Sequence, residues 1–480
     1  MCLSIPRGLV YQIFEPNNNV SGRDLKDAAA KPEIYFRLEN TSPEARPPDG
    51  EIVMRKLILG FLFVFGALAA FAAGAPKVVY VRCGKLIYDA EKAPLAPAAV
   101  VITDGKITAV GADLPVPAGA EEIDLSRYTV LPGFVDAHIH IWSGPFGKQA
   151  SMPLAALRGS KAMSYALSSG VVGARVLGTE GFIDVALKDA IDEGTIPGPH
   201  LVPAAHALTI PGGHGDFFPA PPFLPMEDFY TPMNGFVNSP ADAEKAVHLQ
   251  IKYGARVIKV LASGGVLSPL DSPTAEQISP EDLRVIVEQA HMDHTKVAAH
   301  AENIRSILAS LEAGVDSIEH GSELNEEAVK LMKSHKVVLV PTVYVVDDSV
   351  ARGEKEHLPD YVMQKVRALA KTHFPSFQLA LRSGVTIAAG SDRSYAPGMG
   401  TVREEMITEV KYGMTPQQAL VAGTKTSAAL LGLEQLGTVE TGKEGDLVAV
   451  DGDPLSDIQA LGKVRAVIFQ GRSVAPANRQ

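Results

Sequence analysis

The stretch Phe134-Val135-Asp136-Ala137-His138-Ile139-His140 decides the fold. It reads as a largely apolar strand ending in two histidines. Residues two apart on a strand point to the same side, so both imidazoles can reach one ion. Four later apolar runs carry a potential ligand in the same way. Lys259 sits inside Val257-Ile258-Lys259-Val260-Leu261, and His300 ends Val297-Ala298-Ala299. His320 ends Ser317-Ile318-Glu319, and Asp392 ends Ile387-Ala388-Ala389-Gly390-Ser391. Singly, each has a plain structural reading: an HxH arises by chance, a buried lysine pairs with a core carboxylate, and a strand-end histidine is simply hydrogen-bonded. Five strands in order, each bearing a ligand type, point instead to metal. Imidazoles and carboxylates suit zinc and its first-row neighbours.

Helices alternate with these strands. Ser239-Pro240 and Ser279-Pro280 each place a good cap before a proline at the first helical turn. The first of these helices runs to about Tyr253. Strands follow at Lys296–Ala301, Asp316–His320, Val337–Val343 and Val385–Gly390, with helices over Ile304–Ala313 and Asn325–Ser334 between them. Such alternation indicates parallel βαβ units, and so many of them favour an α/β TIM-like (β/α)8 barrel over residues 132–435. Catalytic groups then belong at the C-terminal ends of the strands, where the candidates lie.

Short β-branched runs flank this middle. Lys77–Arg82, Lys85–Tyr88, Ala99–Thr103 and Lys106–Val110 precede it, with Asp104-Gly105 as a turn, and Asp446–Val450 and Val464–Phe469 follow it. They predict an antiparallel β-sandwich domain built from both ends of the mature chain, residues 76–131 and 436–480. Residues 211–238, rich in Gly, Pro and aromatics, read as a long loop over one barrel mouth.

Upstream, Arg55 and Lys56 precede an apolar run from Leu57 to about Phe71 and the small residues Ala-Ala-Gly-Ala. This is the pattern of a secretory signal peptide, residues 54–75, and it predicts a secreted or periplasmic protein with no stable membrane span after cleavage. A signal anchor is the alternative. Residues 1–53 read as a disordered upstream extension from a start site placed too early. Neither Cys2 nor Cys83 has metal-type or CxxC spacing. The net charge of −11 argues against nucleic acid as a partner. A homo-oligomer is compatible with the sequence and not specified by it.

The segment Leu131-Pro132-Gly133-Phe134-Val135-Asp136-Ala137-His138-Ile139-His140 resembles the opening signature of the amidohydrolase superfamily. Lys259-Val260-Leu261-Ala262-Ser263-Gly264-Gly265, Ala299-His300-Ala301, Ser317-Ile318-Glu319-His320-Gly321 and Gly390-Ser391-Asp392 continue it. Gly413-Met414-Thr415-Pro416 and Gly445-Asp446-Leu447 resemble its closing segments. The nearest branch holds Xaa-Pro dipeptidases, carboxypeptidase-like enzymes and ochratoxin-hydrolysing amidases. The resemblance implies two divalent ions, zinc above all. His138, His140 and Asp392 would hold one ion, His300 and His320 the other, and an N-carboxylated Lys259 would bridge both. A metal-bridged hydroxide would attack the amide, and Asp392 would carry its proton to the leaving nitrogen.

His214, in Gly212-Gly213-His214-Gly215-Asp216, resembles a family loop that meets the substrate carbonyl or carboxylate; an exposed loop histidine is the alternative. Tyr344 and Arg393 could meet a substrate carboxylate or serve the structure. Asp136 either orients a ligand or solvates its strand. The sequence departs from the branch at Val176, where relatives often carry an acid, and at Glu302-Asn303, where some dipeptidases have aromatic residues or glycine. The expected substrate is a small amide, a dipeptide or N-acyl amino acid. A cyclic amide or imidazolone is the second enzymatic reading, although Lys259 counts against the imidazolone version. A secreted metal-binding protein without catalysis is the reading from another class, and Asp392 counts against it.

Overall fold

The computed structural model describes residues 76–141, 150–216, 229–355, 357–396 and 398–476. The expected extension, the signal peptide and most of the Phe/Pro-rich loop (217–228) lie outside the described residues. Strands β1 (Val78–Leu86), β2 (Ala98–Thr103), β3 (Lys106–Gly111) and β4 (Glu121–Pro132) come first. Next are β5 (Phe134–Ile139), β6 (Val171–Val176), β7 (His200–Pro203) and β8 (Val257–Leu261). These are followed by β9 (Lys296–Ala301), β10 (Ser317–His320) and β11 (Val338–Val340). The last three are β12 (Leu447–Val450), β13 (Val464–Phe469) and β14 (Arg472–Val474).

Strands β5 to β11 are buried nearly throughout, as continuous apolar runs must be when helices cover a parallel sheet. They form parallel ladders β5-β6-β7 and β8-β9-β10-β11. Single bridges join the ladders' edges: Leu208 with Val260, Leu339 with Ile387, and Ile139 with Arg393. The helices between them start on capped residues. Ser239 accepts the N–H of Asp242 ahead of Pro240–Lys252, and Ser279 that of Asp282 ahead of Pro280–Met292. Asn303 and Asn325 do the same for Ile304–Ala313 and Glu326–His335, each such cap contributing about 1 kcal/mol. The inner side chains of Ile258, Val260, Val297, Ile318 and Leu339 share one core with these helices, each burial worth roughly 1.5–3 kcal/mol.

Two expected strands are shorter than predicted. The run at Val337–Val343 pairs only over Val338–Val340, because Thr342 takes a left-handed backbone (φ 51°) and starts the helix Val343–Arg352. The run at Val385–Gly390 pairs through the one bridge at Ile387.

The flanking strands differ from expectation in their pairing. They are hydrogen-bonded into one continuous seven-stranded sheet, in the order β14-β13-β12-β4-β1-β2-β3. The last three strands do join the first four, through β12 against β4. The sheet is mixed, since the chain returns after β3 and lays β4 parallel to β1. Lys77–Arg82 and Lys85–Tyr88 are not two strands but one with a register shift at Gly84. A Cβ there would stand 2.2 Å from the Ser126 carbonyl oxygen, so only glycine fits. The Asp104-Gly105 turn joins β2 to β3 with both residues at positive φ (47° and 84°), the backbone that a tight two-residue hairpin demands. Among the described residues no helix is long and apolar enough to cross a membrane.

Candidate metal centre

All six residues expected to act on metal lie at or near the ends of β5, β8, β9, β10 and the segment after Ile387. The His138 Nε2 faces His140 Nε2 at 3.2 Å, and Asp392 Oδ1 lies 3.5 Å and 3.2 Å from these two nitrogens. The His320 ring stands 5.1 Å from that of His138 and 4.6 Å from that of His300. His214 stacks on His300 at 4.4 Å. Five imidazoles thus form one connected row.

Asp136 settles between its two expected roles. It is fully buried, and Oδ1 accepts the N–H groups of His138 and Ser391 while Oδ2 accepts the Tyr395 hydroxyl at 2.7 Å. It ties β5 to the turn that carries Asp392. Burial raises its carboxyl to about 6, against the pull of those bonds.

A residue that pattern reading missed orients His138. The Glu319 Oε2 lies 2.8 Å from His138 Nδ1, and its Oε1 accepts from Arg175 and Ser317. With a carboxylate at Nδ1, the proton sits there and the Nε2 lone pair is left for a cation. Strict strand alternation would send Glu319 and His320 to opposite faces. His320 escapes that rule with φ 70°, so both side chains serve the site. Asp392 (φ 51°) is held in the same left-handed region. Non-glycine residues rarely adopt it unless their surroundings impose it.

His320 and His300 rest on neutral groups, whereas His214 Nδ1 lies 3.5 Å from the Asp271 carboxylate. Thr342 Oγ1 lies 2.7 Å from His320 Nδ1, and the Gly264 carbonyl oxygen 3.1 Å from His300 Nε2. Burial is the main reason that His138, His300 and His320 stay well below the ordinary imidazole range, and the Lys259 ammonium pushes each further down. Desolvation by itself raises the Asp392 carboxyl. His138, His140 and Lys259 outweigh it and hold Asp392 far below the usual carboxylate range.

Lys259 is 1% exposed, and its Nζ has no hydrogen-bond partner. Burial lowers it to about 8, against the pull of Glu319 and Asp392. Glu302, on the way out of β9, is buried as well, and burial raises its carboxyl to about 8.

These groups suit divalent cations. The ligand atoms of His138, His140 and Asp392 lie within 4.8 Å of one another, and so do those of His300, Glu302 and His320. The facing ring nitrogens of His138 and His140 and the Asp392 carboxylate oxygen crowd together, and a cation could bind all three in common. An unpartnered buried ammonium is what carboxylation would convert into a ligand.

Of the expected substrate contacts, His214 is best placed. Its Nδ1 lies 2.8 Å from Ser268 Oγ, and its ring passes so near Gly265 that a Cβ there would fall 2.3 Å from it. Arg393 is partly committed elsewhere, with Nη2 on Asp348 at 2.5 Å and its guanidinium 5.0 Å over the Tyr344 ring. Its Nε is buried without a partner. The backbone N–H of Tyr344 donates to Glu405 at 2.7 Å.

The profile of the amidohydrolase family matches residues 129–474. Ochratoxinase of Aspergillus niger is 34% identical over 430 residues, covering 83% of this chain and 88% of its own. Its crystal structure superposes with a TM-score of 0.72 at 31% identity, over 83% and 96% of the two chains. A Xaa-Pro dipeptidase with methionine bound in its active site gives a TM-score of 0.76 at 30% identity, over 83% and 99%. A prolidase complexed with N-methylphosphonate-L-proline gives 0.74 at 30%, over 84% and 100%.

Proposed function

The chain belongs to the amidohydrolase family, whose fold is an α/β TIM barrel, and on that premise we propose that it hydrolyses the amide bond of a dipeptide or N-acyl amino acid with two divalent ions, zinc above all. The observation that carries this reading is Lys259, a buried ammonium without a partner set among histidines. Carboxylated, it would offer two oxygens that share one negative charge as ligands for the ions. His138, His140 and Asp392 would hold one ion, and His300 and His320 the other. When bound, the ions supply Lewis acidity that acidifies water and polarises an amide carbonyl.

The protein's own groups do the rest. Asp392 takes a proton from the attacking water and returns it to the leaving nitrogen. His214, fixed by Ser268 and stacked on His300, meets the substrate carbonyl or carboxylate. The Arg393 Nε and the Tyr344 hydroxyl are the other candidates for that anion. The bridges at Leu208, Leu339 and Ile139 support reading the parallel strands as one closed eight-stranded ring, with residues 76–131 and 436–480 as a second domain. Export is part of the same proposal, supported by the pattern from Met54 to Ala75, and N-terminal sequencing of the native protein tests it.

The activity test compares kcat/KM for matched N-acyl amino acids and their C-terminal amides. The free carboxylate should be favoured by roughly 10–100-fold, the worth of one hydrogen bond to a charged group. Equal rates would remove the carboxylate requirement and favour a general or cyclic-amide hydrolase.

A further inference from the structure

We infer that Glu302 is a protein ligand to the ion held by His300 and His320, an inference that rests on the two-ion reading above. Glu302 lies one residue past the end of β9 and two beyond His300, and its carboxylate comes to the same place as the His300 ring. With His320 they bring three ligand atoms within 4.8 Å of one another. The arrangement repeats, farther along the row of rings, the grouping of His138, His140 and Asp392: two imidazoles and one carboxylate. Without Glu302 the second group offers its ion only neutral nitrogens beyond the shared Lys259.

The setting of Glu302 is built rather than incidental. Its backbone N–H donates to Ser263 Oγ at 3.0 Å, which fixes the chain where it leaves the strand. Ser322 Oγ donates to one carboxylate oxygen and lies 2.7 Å from His373 Nδ1. Glu302, Ser322 and His373 are all at most 4% exposed. Among the described residues no lysine or arginine ion-pairs with Glu302. A buried carboxylate hydrogen-bonded by one hydroxyl and paired directly with no cation is costly, and a metal ion would supply the missing positive charge at contact distance. Ser322 and His373 then act on the ion through Glu302, as positioning residues.

The test is titration of metal-stripped full-length protein with Co(II), read by metal content per chain and by the visible cobalt spectrum. Glu302→Gln keeps an oxygen for Ser322, and Glu302→Asp keeps the charge on a shorter arm. The wild type should bind two ions. E302Q should bind the first as tightly as the wild type and the second at least about 10-fold more weakly, with a changed spectrum for that second ion. E302D should fall between the two, and it serves as the readout if E302Q does not fold. Second-ion binding in E302Q (or E302D, if only it folds) indistinguishable from that of the wild type would overturn the inference while leaving the two-ion reading intact. A wild type that takes up fewer than two ions would remove both.

Discussion

His138 and His320 stand 5.1 Å apart, ring to ring, yet their outer nitrogens rest on different chemistry. His138 leans on a carboxylate that is itself clamped by Arg175 and Ser317, all of it buried. His320 leans on one threonine hydroxyl, and His300 on one carbonyl oxygen. The first arrangement is rigid and expensive to damage, because removing one charge strands another in a low dielectric. The second costs little to weaken. The centre should therefore have a preorganised half around β5 and a softer half around β9 and β10, which depends more on Lys259.

The largest effect should follow removal of the group common to both halves. Lys259→Ala is expected to lose at least one ion per chain and nearly all turnover, read by metal analysis and kcat. Two ions and normal turnover in that variant would make the lysine purely structural. Next comes the charged support. Glu319→Gln leaves Arg175 without its partner, so the metal-free protein should lose about 3–5 kcal/mol in denaturant unfolding. Affinity at the His138 side should fall about 10–100-fold. If E319Q unfolds like the wild type, the contrast between the halves is mistaken. A smaller change is expected on the soft side. Thr342→Val keeps the shape and removes the hydroxyl under His320, at about 1 kcal/mol. Loss of metal should be confined to the His320 site.

An effect that leaves the metal ligands untouched lies outside the centre and appears only against pH. Glu409 is fully buried and neither carboxylate oxygen has a partner, in contrast to Glu319. Burial pushes its carboxyl well above the ordinary value, and Glu405 adds to the shift. Below the ordinary carboxyl pKa both folded and unfolded chains are protonated there and nothing is lost. As pH rises through that value the unfolded chain ionises first, so stability declines until the folded group ionises too. Stability curves of the wild type and Glu409→Met should therefore run together near about pH 4 and separate toward about pH 8, with the variant the more stable. Parallel curves would show that Glu409 finds a partner in solution.

Much of the centre was legible because its ligands obey local rules. An imidazole or carboxylate at the end of an apolar run is visible in one dimension, and His138, His140, His300, His320 and Asp392 all have that form. Lys259 stands out as a charge in the middle of such a run. Asp136 was legible as a candidate, but its partners Ser391 and Tyr395 lie about 255 residues away and only the fold brings them close. Glu319 was hidden by strand periodicity, which His320 breaks with a backbone angle that no residue type announces. Glu302 was visible only as a departure from a motif. In the flanking sheet, alternation marked most of the strands but not their partners. Parallel pairing of β1 with β4 depends on the path of the chain between β3 and β4, where no turn motif specifies direction.

The bond from Ser391 to Asp136 also has a consequence in time. It closes a loop of 255 residues, so on the ribosome β5 is complete long before the segment that pins it exists. At about 5–20 residues per second the wait is roughly 13–50 s, during which His138 and His140 are made but Asp392 is not. Ions met in that interval would find a partial ligand set. Pairing across so long a separation is also intrinsically slow. Loading of the ion assigned to His138, His140 and Asp392 is thus expected to follow completion of the chain, and a nascent chain stalled before Ser391 should lack that ion.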